Sequence, residues 1–300
     1  MTQKLSFAGD KTWIVVNTQD LDQADVHQEL EAIDQEIIEY ALDKDEYAHM
    51  DYNKESHSLT LIFNTIIPNR KDDHYETTPI TLIAQEKCLI TLVNNNNKYL
   101  VPIMAKYIRQ NRQVSVYTFL FACLEIISEQ YFPITDKIDK ERDQLNTKLR
   151  QQTSKKNLLA LSDLETGNVY LLYAANQNAL LINQLKKHAI YHYLSAEEKE
   201  QLDDAHIEAK QLLSMTKLNS EIMEQLSASY NNVLNNNLND NLTNLNIISI
   251  LLAIMAVITG FYGMNVALPF MDLPNAWIYI SIFGLIIWTL LYYYYKNRFK

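Results

Sequence analysis

Tyr262-Gly263-Met264-Asn265 closes an uncharged stretch, residues 247–264, and gathers neutral oxygen donors at its end. Asn265 offers a side-chain amide oxygen and Gly263 a backbone carbonyl. Such oxygens suit a hard, strongly hydrated cation, because they can hydrogen-bond its water shell without trapping it. Gly263 is expected to permit a tight turn after a helix, with its carbonyl presented to a passage. Met264 is expected to pack, since a thioether sulfur matches a hard cation poorly. An ordinary helix C-terminus would carry the same kind of turn.

Before Asn265, the residues Gly260, Ala256, Ala253, Ser249, Leu245, Leu242 and Asn239 are spaced from one another by steps of three or four and share one helical face. Its outer end is small and its inner end carries two leucines and an asparagine. Small residues let helices approach a common axis, and leucine rings can close a pore by dewetting. Helix packing without a pore would use the same small face. The opposite face, with Ile247, Leu251, Ile254 and Ile258, is bulky and suits lipid or a second span.

Other reactive residues carry weaker signals. His188 and His192 stand four apart on a helix pattern, but no third ligand accompanies them. Cys88 and Cys123 lie in apolar surroundings without a metal-type spacing, so buried thiols are expected. No nucleophile arrangement, phosphate loop or metal triad points to an enzyme. The net charge of −10 argues against a nucleic-acid partner.

The elements that must position the motif are legible. Residues 247–264 and 277–295 are uncharged runs long enough to span a bilayer. Trp277, Tyr279 and Tyr292 to Tyr295 suit interfacial aromatic belts, and the basic tail 296–300 is expected on the cytoplasmic side. Two spans then place both termini in the cytoplasm and the loop 265–276 outside. The N-terminus has no signal-peptide core, in keeping with a cytoplasmic body.

Residues 1–194 read as an α/β and helical domain. Strands are expected at 11–16, 58–67 and 79–93, a turn at Asn94 to Asn97 before 98–101, and helices at 21–43 (capped by Asp20), 114–132 and 156–187. Residues 134–154 are highly charged. Neither Gly nor Pro occurs between Asn168 and Thr259, and one helix is expected from about residue 195 to 261, on the order of 100 Å long. Its seam is read through Leu202, Ala205, Ala209, Leu212, Met215, Asn219, Ile222, Leu226, Ser229 and Val233. Residues 195–246 thus form a stalk, and 231–246 hold nine asparagines and a single charge, Asp240. That polar stretch suits either a vestibule for a hydrated ion or a solvated stalk.

A long helix feeding a span that ends in Gly263-Met264-Asn265, followed by one further C-terminal span, resembles the CorA family of magnesium channels. The tripeptide alone is weak; the setting makes it specific, residue by residue from Asp203 to Asn265. The resemblance implies an α+β membrane protein, a funnel-shaped homopentamer in membrane lipid. Its first spans line a pore for passive uptake of hydrated Mg2+, with Co2+ or Ni2+ as further cargo. It implies that Asn239 and Leu242 face the pore near its cytoplasmic end. Many relatives carry methionine where this chain has Leu242 and Ala253, so the gate differs here.

The resemblance also implies regulation by cytoplasmic Mg2+ held between neighbouring subunits. Asp204, with Asp203 beside it, matches the acidic position on the long helix. Partners are sought among Asp43, Asp45, Glu46, Asp51 and Glu55. The outer loop lacks the Met-Pro-Glu stretch common in relatives and offers Asp272. A zinc-transporting relative and a membrane-anchored coiled-coil tether are the competing readings. Zinc transporters usually carry isoleucine at the position of Met264.

Overall fold

The computed structural model describes residues 3–20, 35–43, 46–151, 154–266, 268–269 and 274–298. Most of the expected helix 21–43, Asp45, Asp272, and the side chains of Asp20 and of the basic tail lie outside them. The chain divides into two compact units, Met1–Ala228 and Ser229–Lys300.

The first unit is built on one mixed sheet. Strands β1 (Gln3–Phe7), β2 (Lys11–Asn17), β3 (His49–Asn53), β4 (Ser58–Ile66), β5 (Thr77–Ala84) and β6 (Cys88–Val93) are ordered β1-β2-β6-β5-β4-β3. Only β2 and β6 run parallel, with Trp13 opposite Leu89; the other neighbours are antiparallel. The central strands are rich in Ile, Leu, Val and Thr, which suit a pleated surface covered on both faces. Alternation along β5 sends Leu82 into the larger core and Ile83 into the smaller. The smaller core is covered by Ile37 and Ile38 of α1 (Gln35–Leu42). Buried Trp13 donates its indole N–H to Thr91 Oγ1 at 2.9 Å, so its polar edge is satisfied inside the core.

Helices α2 (Leu100–Gln110), α3 (Val116–Glu129), α4 (Phe132–Gln151) and α5 (Lys155–Lys187) follow, then the short α6 (Ile190–Tyr193). Ser115 caps α3 and Ser154 caps α5, each oxygen accepting a backbone N–H three residues on. The expected asparagine turn is present and leads into α2. Asn97 is fully buried and donates to the Pro79 carbonyl at 2.9 Å, which ties the turn to β5. Two contacts fix α5 to the sheet. Asn178 exchanges hydrogen bonds with the backbone of Asn64 at 2.9 and 2.8 Å. Gly167 lets α5 approach the β4–β5 connection, where a Cβ would sit 3.1 Å from the Tyr75 nitrogen.

Helix α7 (Ala196–Tyr262) is continuous over 67 residues. In the first unit its buried stripe is Leu202, Ala205, Ala209, Leu212, Thr216, Asn219 and Met223. The expected seam holds at Asn219 but shifts by one residue on either side of it: Thr216 and Met223 are buried, whereas Met215 and Ile222 are half-buried. Thr216 tolerates burial because its hydroxyl bonds to the Leu212 carbonyl at 3.0 Å, while its own carbonyl accepts from Asn168 at 3.1 Å. Asn219 accepts from Arg142 at 2.9 Å, joining α4 to α7. Leu212→Ala should cost about 3 kcal/mol, the scale of a leucine cavity that cannot collapse, measured by denaturant unfolding of the soluble region.

The second unit contains the rest of α7 and α8 (Ala276–Arg298). Both helices are long and apolar enough to cross a membrane, and few residues of their apolar windows are buried. Ser249, Thr259 and Thr289 each donate a hydroxyl to a carbonyl four residues earlier, at 2.8, 3.0 and 2.6 Å. Each polar group is thus satisfied within its own helix, as a lipid environment demands.

Candidate functional site

Within the second unit the two faces of α7 differ. Leu251 is only 1% exposed. Met255 lies against Gly284 of α8, where an added Cβ would meet its Sδ at 3.3 Å and Cε at 3.2 Å. Ile247, Ile254 and Ile258 are half-buried. Asn239, Leu242, Leu245, Ser249, Ala253, Ala256 and Gly260 are all exposed, and nothing lies within 4 Å of where a Cβ would stand at Gly260. Exposure is not confined to that face, since Leu252 and Val257 are also open. The position of α8 nevertheless leaves the small face uncovered.

At the C-terminal end of α7 the Gly263 N–H donates to the carbonyls of Thr259 at 2.9 Å and Gly260 at 3.2 Å, and Met264 N–H to Phe261 at 3.3 Å. The chain therefore leaves the helix by tightening its last turn. Gly263 does not adopt the left-handed conformation; among the described glycines only Gly9 has a positive φ. The turn expected after the helix is present at Gly263 without a positive φ, and a Cβ there would lie 3.2 Å from the Thr259 carbonyl. Gly263, Met264 and Asn265 are all exposed. Asn265 is free to present its amide to a hydrated ion.

In the first unit the two neighbouring aspartates part company. Asp203 pairs with Lys186 of α5 at 2.7 Å, a salt bridge within the chain. Asp204 is exposed and close enough to Glu125 of α3 to act on its ionisation. Burial raises the Glu125 pKa above the usual carboxylate value; the charges of Glu129, Asp204 and Glu208 raise it further, and a hydrogen bond from Gln201 opposes them. Burial also raises Glu129, with Glu208 adding to the effect. Glu125, Glu129 and Glu208 escaped the sequence reading. Their signal was present as two pairs, Glu125/Glu129 and Asp204/Glu208, each four residues apart on its helix.

Of the suggested partners, Asp51 lies on β3, Glu55 in the turn before β4, and Glu46 is 3.5 Å from His49. Among the described residues no three His, Cys, Asp or Glu side chains gather as a metal-ligand set within the chain. His188 instead packs edge-on to Tyr52, with ring centroids 5.7 Å apart.

Carboxyls whose folded pKa lies above the unfolded value favour the fold when protonated. They withdraw that support as pH rises from about 4.5 through the raised folded pKa. Glu125→Gln should therefore raise the melting temperature at pH 7 by about 2 °C, a modest figure because the group is partly solvated. Melting curves should show the gain vanish at pH 4, where both states of the wild type are largely protonated.

The fold has solved counterparts. The complete structure of the CorA magnesium transporter from Methanocaldococcus jannaschii superposes with a TM-score of 0.79 at 18% identity, covering 95% of this chain and 89% of that one. The full-length CmaX protein gives 0.68 at 13% identity, covering 94% and 88%. The ZntB cytoplasmic domain from Vibrio parahaemolyticus gives 0.58 at 10% identity, covering 77% and 88%. No curated protein sequence matches the chain. The model of one family matches residues 9–296, nearly the whole chain, and places it in the CorA-like Mg2+ transporter protein family.

Proposed function

We propose that copies of this chain assemble around a shared axis as a membrane pore for divalent cations, with Mg2+ the principal cargo. The observation that carries this reading is the uncovered small face of α7, from Ser249 through Ala253 and Ala256 to Gly260, leading to an exposed Asn265. Family membership over residues 9–296 and two membrane-length helices support it. A ring of Asn265 amides would hold a hydrated ion through its water shell, and exit stays fast because no full charge holds the ion. Leu242 and Leu245 form the narrow apolar inner section, and the asparagines of 231–246 a polar vestibule. The chain is a transporter, not an enzyme; homopentameric assembly and cytoplasmic termini belong to the same reading.

Asp204 is the regulatory carboxylate of choice, because Asp203 is engaged by Lys186. Cytoplasmic Mg2+ held beside it would offset the mutual repulsion of Asp204, Glu125 and Glu208 and stabilise a closed assembly, with remaining ligands from a neighbouring copy. Asp204→Ala should weaken the protection that millimolar Mg2+ gives the soluble region against protease. Unchanged protection would remove Asp204 from the sensor.

A pore for Zn2+ is the second reading, and Met264 in place of the isoleucine of zinc transporters speaks for Mg2+. Ion flux into vesicles containing the purified protein, compared for Mg2+, Co2+ and Zn2+, decides between them. No flux of any of the three would leave only the membrane tether.

A further inference from the structure

Away from Asp204 and Glu125, two adjoining grooves run along the β1 edge of the sheet and α2. One, of about 830 Å³, is lined by Lys11, Arg109 and Arg112; the next, of about 670 Å³, by Lys4, Lys98 and Arg109. They share Leu5 and Arg109, so they adjoin as a two-part depression. Among the described residues, five cations line it and no Asp or Glu does, in a chain whose net charge is −10. Asp10, on the adjoining hairpin, is turned to Lys87 at 2.6 Å and is not part of the lining.

Three of the five cations take no part in the described ion pairs of the fold. Among the described residues no carboxylate lies within ion-pair distance of Lys98, Arg109 or Arg112. Lys11 is positioned by donating to the Val114 carbonyl at 3.3 Å. Lys98 stands just before the start of α2, whose first turn carries no acid, where a cation opposes the helix dipole. Arg109 in the last turn is favoured by that dipole, but Arg112 beyond the helix owes it little. Apolar Leu5, Val101 and Pro102 supply a floor beside the charges.

We infer that this depression binds a small anion bearing several linked phosphates, of the nucleoside triphosphate class. Guanidinium groups recognise phosphate oxygens in pairs, and spaced lysines suit a chain of phosphates better than a single one. The apolar floor suits the base or sugar. A long polyanion is disfavoured because the rest of the surface repels it.

The test is calorimetry on the full chain in detergent, at physiological salt and without Mg2+, with ATP, tripolyphosphate and glycerol 3-phosphate as probes. ATP and tripolyphosphate should bind saturably. Arg109→Glu with Arg112→Glu should weaken both at least about tenfold, while the same charge change at Lys54 and Lys217, outside the grooves, should leave them unaltered. The doubly substituted chain must keep the wild-type melting temperature; should it not, Arg112→Gln alone must weaken ATP binding. No saturable binding of either oligophosphate, equal loss in the Lys54 and Lys217 variant, or glycerol 3-phosphate binding as tightly as ATP would each overturn the inference. The last result would point to a single-phosphate lipid headgroup instead. Binding, not flux, is the readout, so failure here leaves the pore reading standing.

Discussion

Asn265→Ala should reduce Mg2+ uptake into proteoliposomes by more than about 100-fold while the protein still folds and inserts. Asn265 is exposed beyond the last turn of α7 and supports no part of the fold that its removal would disturb. In a pore its amide replaces part of the second hydration shell of the ion, once per subunit. Each neutral hydrogen bond contributes only about 1 kcal/mol. Three lost together raise the barrier by about 3 kcal/mol, which is more than about 100-fold in rate. Asn265→Asp is a sharper comparison. It keeps the oxygens but adds a ring of charge, so the ion should be held longer and flux should fall through slow exit. A tether predicts that neither substitution matters. Growth of a magnesium-transport-deficient bacterium on low Mg2+, rescued by the wild type and equally by Asn265→Ala, would sink the pore.

Gly260→Leu should block transport as completely, for a different reason. Nothing within 4 Å would meet a Cβ at this position, so a single chain accommodates leucine without strain. If the small face of α7 surrounds a lumen, the new side chains converge on it and close it. Were the position to face lipid, leucine would be harmless or mildly favourable in a bilayer. Ile248, open to 53% and about 120° around the helix from Gly260, is the control. Ile248→Leu should leave flux unchanged. Gly284→Leu is a contrasting case, because its side chain would collide with Met255 and spread the two spans. It should lower the yield of folded protein, whereas Gly260→Leu should lower flux at normal yield. Normal flux through correctly inserted Gly260→Leu would remove this face from the pore.

The strands that can be read in the sequence are those that are buried on both faces. β2, β4, β5 and β6 are nearly continuous runs of β-branched and aliphatic residues, and the expected segments overlie them. β1 and β3 escaped because they are edge strands with polar, partly exposed sequences, Gln3-Lys4-Leu5-Ser6-Phe7 and His49-Met50-Asp51-Tyr52-Asn53. Only pairing with β2 and β4 makes strands of them. The turn at Asn94 to Asn97 was legible, but its anchoring of the start of α2 to β5 through Asn97 was not.

Sequence alone determined the long α7, the two membrane-length helices and the oxygen donors after the first of them. Each depends on local quantities: helical spacing, an absence of breakers, the length of an uncharged run. Tertiary structure decided what no spacing contains. It buried Thr216 and Met223 on either side of the expected Asn219, where Asn168 and Arg142 reach α7 from other helices and donate to Thr216 and Asn219. It divided Asp203, paired with Lys186, from Asp204, and set the latter beside Glu125, far away in the chain. It also opened the small face of α7 by placing Gly284 of α8 against Met255. Contacts between distant segments follow from how faces pack, so Asn265 could be found in the sequence, but the carboxylates around Asp204 had to be seen in the fold.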